Sequence, residues 1–205
     1  MGVAIRRAVE SDRAAVTRLL DEAFQDDPVS CWVFPDADHR RRTHHKLMGA
    51  FLDIVLSEGR VDLTEDGRAA ALWLSVPAGE PEDHDGEDDG PAEMREAVDP
   101  DNERVELVGR LTGAVHPTGR AHEYLLLIAV TPEHQGEGLG TALIGSVLDR
   151  CDREGLPAYL EASNARSRRL YERLGFAFTG RPVDLPDGPR MWPMWREPQA
   201  TSAVS

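Results

Sequence analysis

The chain has 205 residues, 40% hydrophobic and 29% charged, with a formal net charge of −14 at pH 7. That length suits one mixed domain and crowds a second, and the balance is that of a folded chain, not a disordered one. So acidic a surface argues against nucleic acid and anionic membranes as partners, which need clustered cations, and mildly favours cationic ligands such as amines.

Met1–Glu10 holds no apolar signal core, and the longest apolar run, Leu125–Val130, is strand-sized, so a cytoplasmic chain with no membrane span is expected. Val3–Val9 reads as a strand, followed by a helix from Ser11 with apolar positions Val16, Leu19, Leu20 and Phe24, interrupted at Asp26-Asp27-Pro28. A second helix is predicted from Asp38 to Ser57. Arg60–Leu63 and Ala69–Val76 flank Glu65-Asp66-Gly67, a hairpin signal. The acidic, Pro- and Gly-containing stretch Glu80–Asp89 reads as a solvated loop, with helical spacing resuming over Glu93–Leu111. His122–Val130 is a buried strand and Leu139–Cys151 an amphipathic helix closed by Gly155 and Pro157. Pro157–Glu161 is a short strand and Asn164–Leu174 a helix. Phe176–Thr179 and Arg190–Arg196 form a closing antiparallel pair joined through Asp187-Gly188. The expectation is one α+β domain over residues 1–197 with a central mixed β-sheet flanked by helices, and a disordered tail over 198–205. Cys31 and Cys151 lack partner spacing and the histidines are scattered, so no metal or disulfide is expected.

The chemistry concentrates where the strand ending Ile128-Ala129-Val130 runs through Thr131–His134 into Gln135-Gly136-Glu137-Gly138-Leu139-Gly140 and then a helix. Glycine lets backbone amides approach an anion, and a helix N-terminus supplies free N–H groups and a favourable dipole. Three glycines at this junction read as a diphosphate cradle, against a plain loop that merely turns. A dinucleotide site, with Glu161 on the ribose, fits less well: the spacing is Gly-x-Gly-x-Gly, and a polar connector separates strand from glycines.

Gln135-x-x-Gly138-x-Gly140 resembles the Gln/Arg-x-x-Gly-x-Gly/Ala signature of the GNAT superfamily of N-acetyltransferases. A second segment is similar too: Asn164 near a helix start, then Tyr171-x-x-x-Gly175-Phe176. Ala23-Phe24…Asp27-Pro28, Val130–Gln135 and Leu185–Arg190 look like its puromycin N-acetyltransferase branch. The resemblance implies a GNAT-type acyl-CoA N-acyltransferase fold. It also implies an enzyme moving an acetyl group from acetyl-CoA to a primary amine of a small molecule, by direct transfer. A non-catalytic acyl-CoA-binding or sensing module and a protein N-acetyltransferase are the alternatives, and monomer and homodimer are both open. It implies that Ile128, Ala129 and Val130 contact pantetheine and that Gln135, Gly136, Glu137, Gly138, Leu139, Gly140 and Thr141 wall the pyrophosphate. Asn164 would bond the pantetheine arm, or cap its helix, or both. Tyr171 would protonate the departing CoA thiolate, against a role as a core aromatic.

Amine acetylation needs a neutral amine, so a base is sought among Glu161, Glu123, Tyr124 and His122, and the sequence leaves these open. Trp32, Phe34, Trp73 and Tyr124 are candidate walls of an acceptor pocket, with ordinary core as the alternative. The basic run His39–Lys46 reads as a solvated face that could attract a CoA phosphate. The acidic loop could draw in cations, with a solvated insertion the simpler reading.

Overall fold

The computed structural model describes residues 2–79 and 89–200. The acidic residues 80–88 and the tail beyond 200 lie outside the described residues, and with them most of the predicted acidic loop and much of the predicted disordered tail. Within the tail, the backbone N–H of Gln199 donates to Asp152 Oδ1 at 2.7 Å.

Strands β1 (Ile5–Arg7), β2 (Arg60–Thr64), β3 (Ala69–Val76) and β4 (His122–Val130) pair antiparallel in sequence order. The β2–β3 turn is the predicted hairpin, with Gly67 at φ 71°. β4 pairs parallel with β5 (Ala158–Ala162) through the crossover helix α6 (Leu139–Glu154), and β5 pairs antiparallel with β8 (Arg190–Arg196), which pairs in turn with β6 (Ala177–Phe178). β7 (Val183–Asp184) folds back on β8. The expected mixed sheet is present.

Helices cover both faces. α1 (Arg13–Phe24), α3 (Ala37–Glu58), α4 (Gly90–Val98) and α5 (Glu103–Gly113) pack their apolar sides with Leu63, Ala70, Leu72 and Ala129 in one core. On the opposite face α6 and α7 (Ala165–Arg173) cover Ala71, Trp73, Leu125, Ala158 and Leu160. Alternation along the strands divides the two cores, since successive side chains leave a strand on opposite sides.

The structure departs from the sequence reading in four places. The first strand is shorter than Val3–Val9. The predicted interruption at Asp26-Asp27-Pro28 also opens a further helix, α2 (Pro28–Val33), with Asp27 accepting from the Val29 N–H as its cap and Pro28 in the first turn. Glu93–Leu111 is two helices, because Asp99-Pro100 ends α4 and Asn102, accepting from Arg104 N–H, starts α5. Finally, the Asp187-Gly188 turn joins β7, not β6, to β8, with Asp187 at φ 50°. Among the described residues no helix is long and apolar enough to cross a membrane.

Candidate active site

β4 and β5 stay paired only through Glu123–Ala158 and Tyr124–Tyr159, then part. On its other edge β4 carries a bulge against Leu72/Trp73, and bulges increase local twist and bend the strand. Beyond the parting, the main chain of Leu126–Val130 borders open space, a cavity of about 720 Å³ that reaches from the glycine turn to helices α1–α5.

One end of that cavity is the glycine turn. Gly136 and Gly138 hold φ of 92° and 86°, a region that favours glycine, and an added Cβ at either would meet no atom within 4 Å. Gly138 caps α6, whose first internal bond runs from Ala142 N–H to Gly138 C=O at 3.0 Å. The N–H groups of Leu139, Gly140 and Thr141 therefore have no acceptor within the helix, as at any helix start. Gln135 braces the turn, donating to Val130 C=O at 3.4 Å and accepting from Arg166 at 3.3 Å. Arg166 brings a cation to this wall; the sequence reading passed it over, although it stands two residues after Asn164. Ile128, Ala129, Val130, Gln135, Gly136, Gly138, Leu139, Gly140 and Thr141 all line the cavity. Glu137 is not among its lining residues.

Replacing Gly138 by Ala forces a Cβ into the left-handed region at about 1–2 kcal/mol. It also adds a methyl where the turn leaves open space. Acetyl-CoA affinity is expected to fall about tenfold, about 1.4 kcal/mol, by calorimetric titration. Undiminished affinity in the folded variant removes the diphosphate role from the turn.

Asn164 and Tyr171 both line the cavity. The Asn164 carbonyl oxygen accepts from Arg166 and Ser167 N–H at 3.1 and 2.9 Å, so the capping role is filled. Its amide donates weakly to Asp27 Oδ2 and Ser163 Oγ at 3.4 and 3.3 Å. Asp27 holds this corner: besides capping α2 it accepts from Ser163 Oγ at 2.7 Å. Asp27 and Ser163 both reach the cavity wall. Their signal was in the Asp27-Pro28 pair and in the segment before Asn164, which were read only as helix punctuation and resemblance. Tyr171 is 7% exposed and packs on Phe176, with its phenol pushed above the usual range by burial and by Asp27.

The base candidates separate. Glu161 lines the cavity, its side chain is 5% exposed, and its Oε2 accepts from Tyr124 O–H at 2.8 Å while Oε1 is buried without a hydrogen bond. Burial raises its carboxyl to about 7, partly offset by the tyrosines. Glu123 instead faces the other way, bound by Ser75 Oγ at 2.8 Å and Arg150 at 3.1 Å, and does not line the cavity. Strand alternation is the reason: Tyr124 and Glu123 leave β4 on opposite sides.

Behind Glu161, away from the cavity wall, stand His116 and His122. His122 Nδ1 lies 2.8 Å from Arg120 C=O, and its Nε2 lies 3.1 Å from His116 Nε2. A carbonyl only accepts, so His122 carries its proton on Nδ1. His116 then donates from Nε2, and its Nδ1 lone pair faces Glu161 Oε1 at 4.0 Å. Burial, with a smaller contribution from His122, brings the His116 imidazole down to about 4. His116 had carried no signal in sequence, being a loop residue with no motif.

Three predicted pocket walls are corrected. Trp32, Phe34 and Trp73 do not line the cavity. Trp73 is 1% exposed in the core beneath α6, and Phe34 is fully buried against His44. Trp32 points its indole N–H to Pro186 C=O at 2.8 Å and stacks under Arg104. Tyr124 alone of the four reaches the cavity, which is walled elsewhere by Phe24, Leu47, Phe51, Met94, Val105 and Val108.

Residues 68–176 match the model of the acetyltransferase (GNAT) family. An uncharacterized N-acetyltransferase of Schizosaccharomyces pombe is 26% identical over 187 residues, covering 86% of this chain and 75% of its own length. Mycothiol acetyltransferase of Brachybacterium faecium is 41% identical over 64 residues, covering 30% of this chain and 19% of that protein. A structure of histone acetyltransferase HPA2 and related acetyltransferase from Corynebacterium glutamicum superposes with a TM-score of 0.72 at 23% identity, over 99% of this chain and 100% of the other. At that identity the superposition speaks for the fold.

Proposed function

Because this chain belongs to the acetyltransferase (GNAT) family, we propose that it transfers an acetyl group from acetyl-CoA to the primary amine of a small molecule with a bulky apolar body. The glycine turn, the α6 N-terminus and Arg166 are a fitting donor set for a diphosphate. The freed edge of β4 offers main-chain groups to an extended amide-bearing arm. When bound there, acetyl-CoA supplies the activated acyl thioester.

The observation that carries the acceptor class is the other end of the cavity. Among the described residues, the walls given by α1–α5 are mostly apolar side chains, with Ser30 and Thr112 polar and one charged group, Asp27, at the α1–α2 corner, and β5 adds Glu161. The cations on the cavity wall, Arg166 and Arg173, both belong to α7. Two carboxylates set among mostly apolar walls suit an ammonium on an apolar frame and offer no cation to a substrate carboxylate.

In this reading Glu161 takes the ammonium proton, and main-chain N–H at Ala129 or Val130 polarises the thioester carbonyl. Tyr171 gives its phenolic proton to the departing sulfur as the carbon–sulfur bond breaks, and the second proton lost by the attacking nitrogen restores the phenol. No enzyme-bound acetyl intermediate is needed for the amine reaction.

The test is release of CoA thiol against a panel of amines. Arylalkyl and other apolar amines are expected to turn over with kcat/KM at least a hundredfold above free α-amino acids and peptide N-termini. A preference for amino acids or peptides overturns the acceptor class, and no release with any amine favours a binding module.

A further inference from the structure

A second constellation sits on the same cavity and plays no part in the amine reaction described above. Ser30 on α2, His44 on α3 and Asp21 on α1 come together from three helices. Ser30 Oγ lies 3.0 Å from His44 Nε2, and His44 Nδ1 lies 2.7 Å from Asp21 Oδ1. Asp21 is itself held, its Oδ1 also accepting from Gln25 Nε2 at 2.8 Å.

The tautomer follows from the partners. A carboxylate accepts, so the imidazole proton sits on Nδ1, leaving the Nε2 lone pair to accept from the Ser30 hydroxyl. His44 is fully buried, with Phe34 edge-on to its ring. That burial, together with Arg40, outweighs Asp21 and Asp27 and keeps the imidazole below its ordinary range, neutral and able to take a proton.

A buried imidazole needs both nitrogens paired, and Asp21 and Ser30 do that much for packing alone. The additional fact is where the residue stands. Ser30 is 6% exposed and is one of the residues that line the cavity. A hydroxyl held by an imidazole that is held by a carboxylate is the arrangement that activates a nucleophilic serine, and it is known by geometry and not by chain order.

We propose that Ser30, His44 and Asp21 form a second reactive centre, a nucleophilic serine that takes an acyl group from an activated ester or thioester and passes it to water. The Ser30 Oγ–carbon bond forms as its proton moves to His44 Nε2. The bond from the acyl carbon to the leaving oxygen or sulfur then breaks, and that atom takes the proton from His44. Water next adds to the acyl-serine while His44 accepts its proton. The carbon–Oγ bond breaks and the proton returns to Ser30, leaving a carboxylic acid. Asp21 keeps the imidazole in the working tautomer throughout and stabilises the transient imidazolium.

The experiment uses the full chain, without any amine, against p-nitrophenyl acetate and, separately, an alkyl fluorophosphonate. Intact mass and peptide mapping are expected to place a single adduct on Ser30, with steady release of nitrophenolate. Ser30→Ala, which removes one buried hydroxyl and keeps α2, is expected to lose the adduct and at least a hundredfold of the release. Asp21→Asn is expected to slow labelling at least tenfold while thermal melting confirms the fold. Absence of an adduct on Ser30, an adduct elsewhere only, or unchanged hydrolysis by Ser30→Ala overturns the proposal. None of these readouts depends on acetyl-CoA or on Glu161, so failure here is separate from failure of the amine reading.

Discussion

Tyr171→Phe is expected to lower kcat roughly 10²–10⁴-fold, the usual worth of a positioned general acid, while leaving the fold intact. The ring is buried against Phe176, and that packing survives loss of the hydroxyl. Burial and the nearby Asp27 carboxylate push the phenol upward, so Tyr171 is protonated throughout the working pH range. A thiolate forming beside it is therefore met by an O–H across that range. Acetyl-CoA affinity should fall only modestly, because the hydroxyl matters most as charge develops on sulfur. Steady-state kinetics beside thermal melts separate the roles. Near-normal kcat with a lowered melting temperature would assign Tyr171 to packing and leave the sulfur to depart without this donor.

The glycine-turn end of the cavity was partly readable in the sequence because its requirements are local. Gly136 and Gly138 need left-handed backbone, α6 needs a free N-terminus, and Asn164 to Tyr171 spans two turns of one helix, so short motifs mark these positions, while Arg166, Asp27 and Ser163 fall outside them. The mixed sheet was legible too, since β3, β4 and β8 are built around apolar runs, Ala69–Leu74, Leu125–Val130 and Met191–Trp195. The acceptor end was not. Its walls come from five helices, and an apolar residue facing a cavity has the same signature as one facing the core. Trp32, Phe34 and Trp73 were thus natural guesses and lie elsewhere. Glu123 and Glu161 looked equivalent until strand alternation placed them on opposite faces. The Ser30–His44–Asp21 contacts join three helices at separations no periodicity encodes.

Glu161→Gln is expected to abolish most amine acetylation and, above neutral pH, to make the protein more stable. Both effects follow from one burial. The carboxyl is held at about 7 in the folded chain against an ordinary value of 4.5, because the apolar cavity wall disfavours its charge more than Tyr124 relieves it. The groups facing it are Tyr124, Tyr159 and His116, and none carries a positive charge at neutral pH. Its folded pKa is raised, so its contribution to stability is fully present below about 4.5 and is lost as pH rises through about 7. At pH 8 the ionised, buried form opposes folding by on the order of 3 kcal/mol, at 1.36 kcal/mol per unit. Glutamine keeps an oxygen for the Tyr124 hydroxyl and carries no charge, so it escapes that opposition. Melts at pH 5 and pH 8 should show the variant close to wild type at the first and clearly above it at the second. Catalysis runs the other way. Wild-type kcat should climb as pH rises through about 7, because only the ionised Glu161 can take the ammonium proton. The variant should lose that limb and at least a hundredfold in kcat. A variant that is stabilised at pH 8 yet turns over normally would keep the burial argument and move the base elsewhere. Asp27 is then the other carboxylate on the cavity wall, among the described residues, to examine.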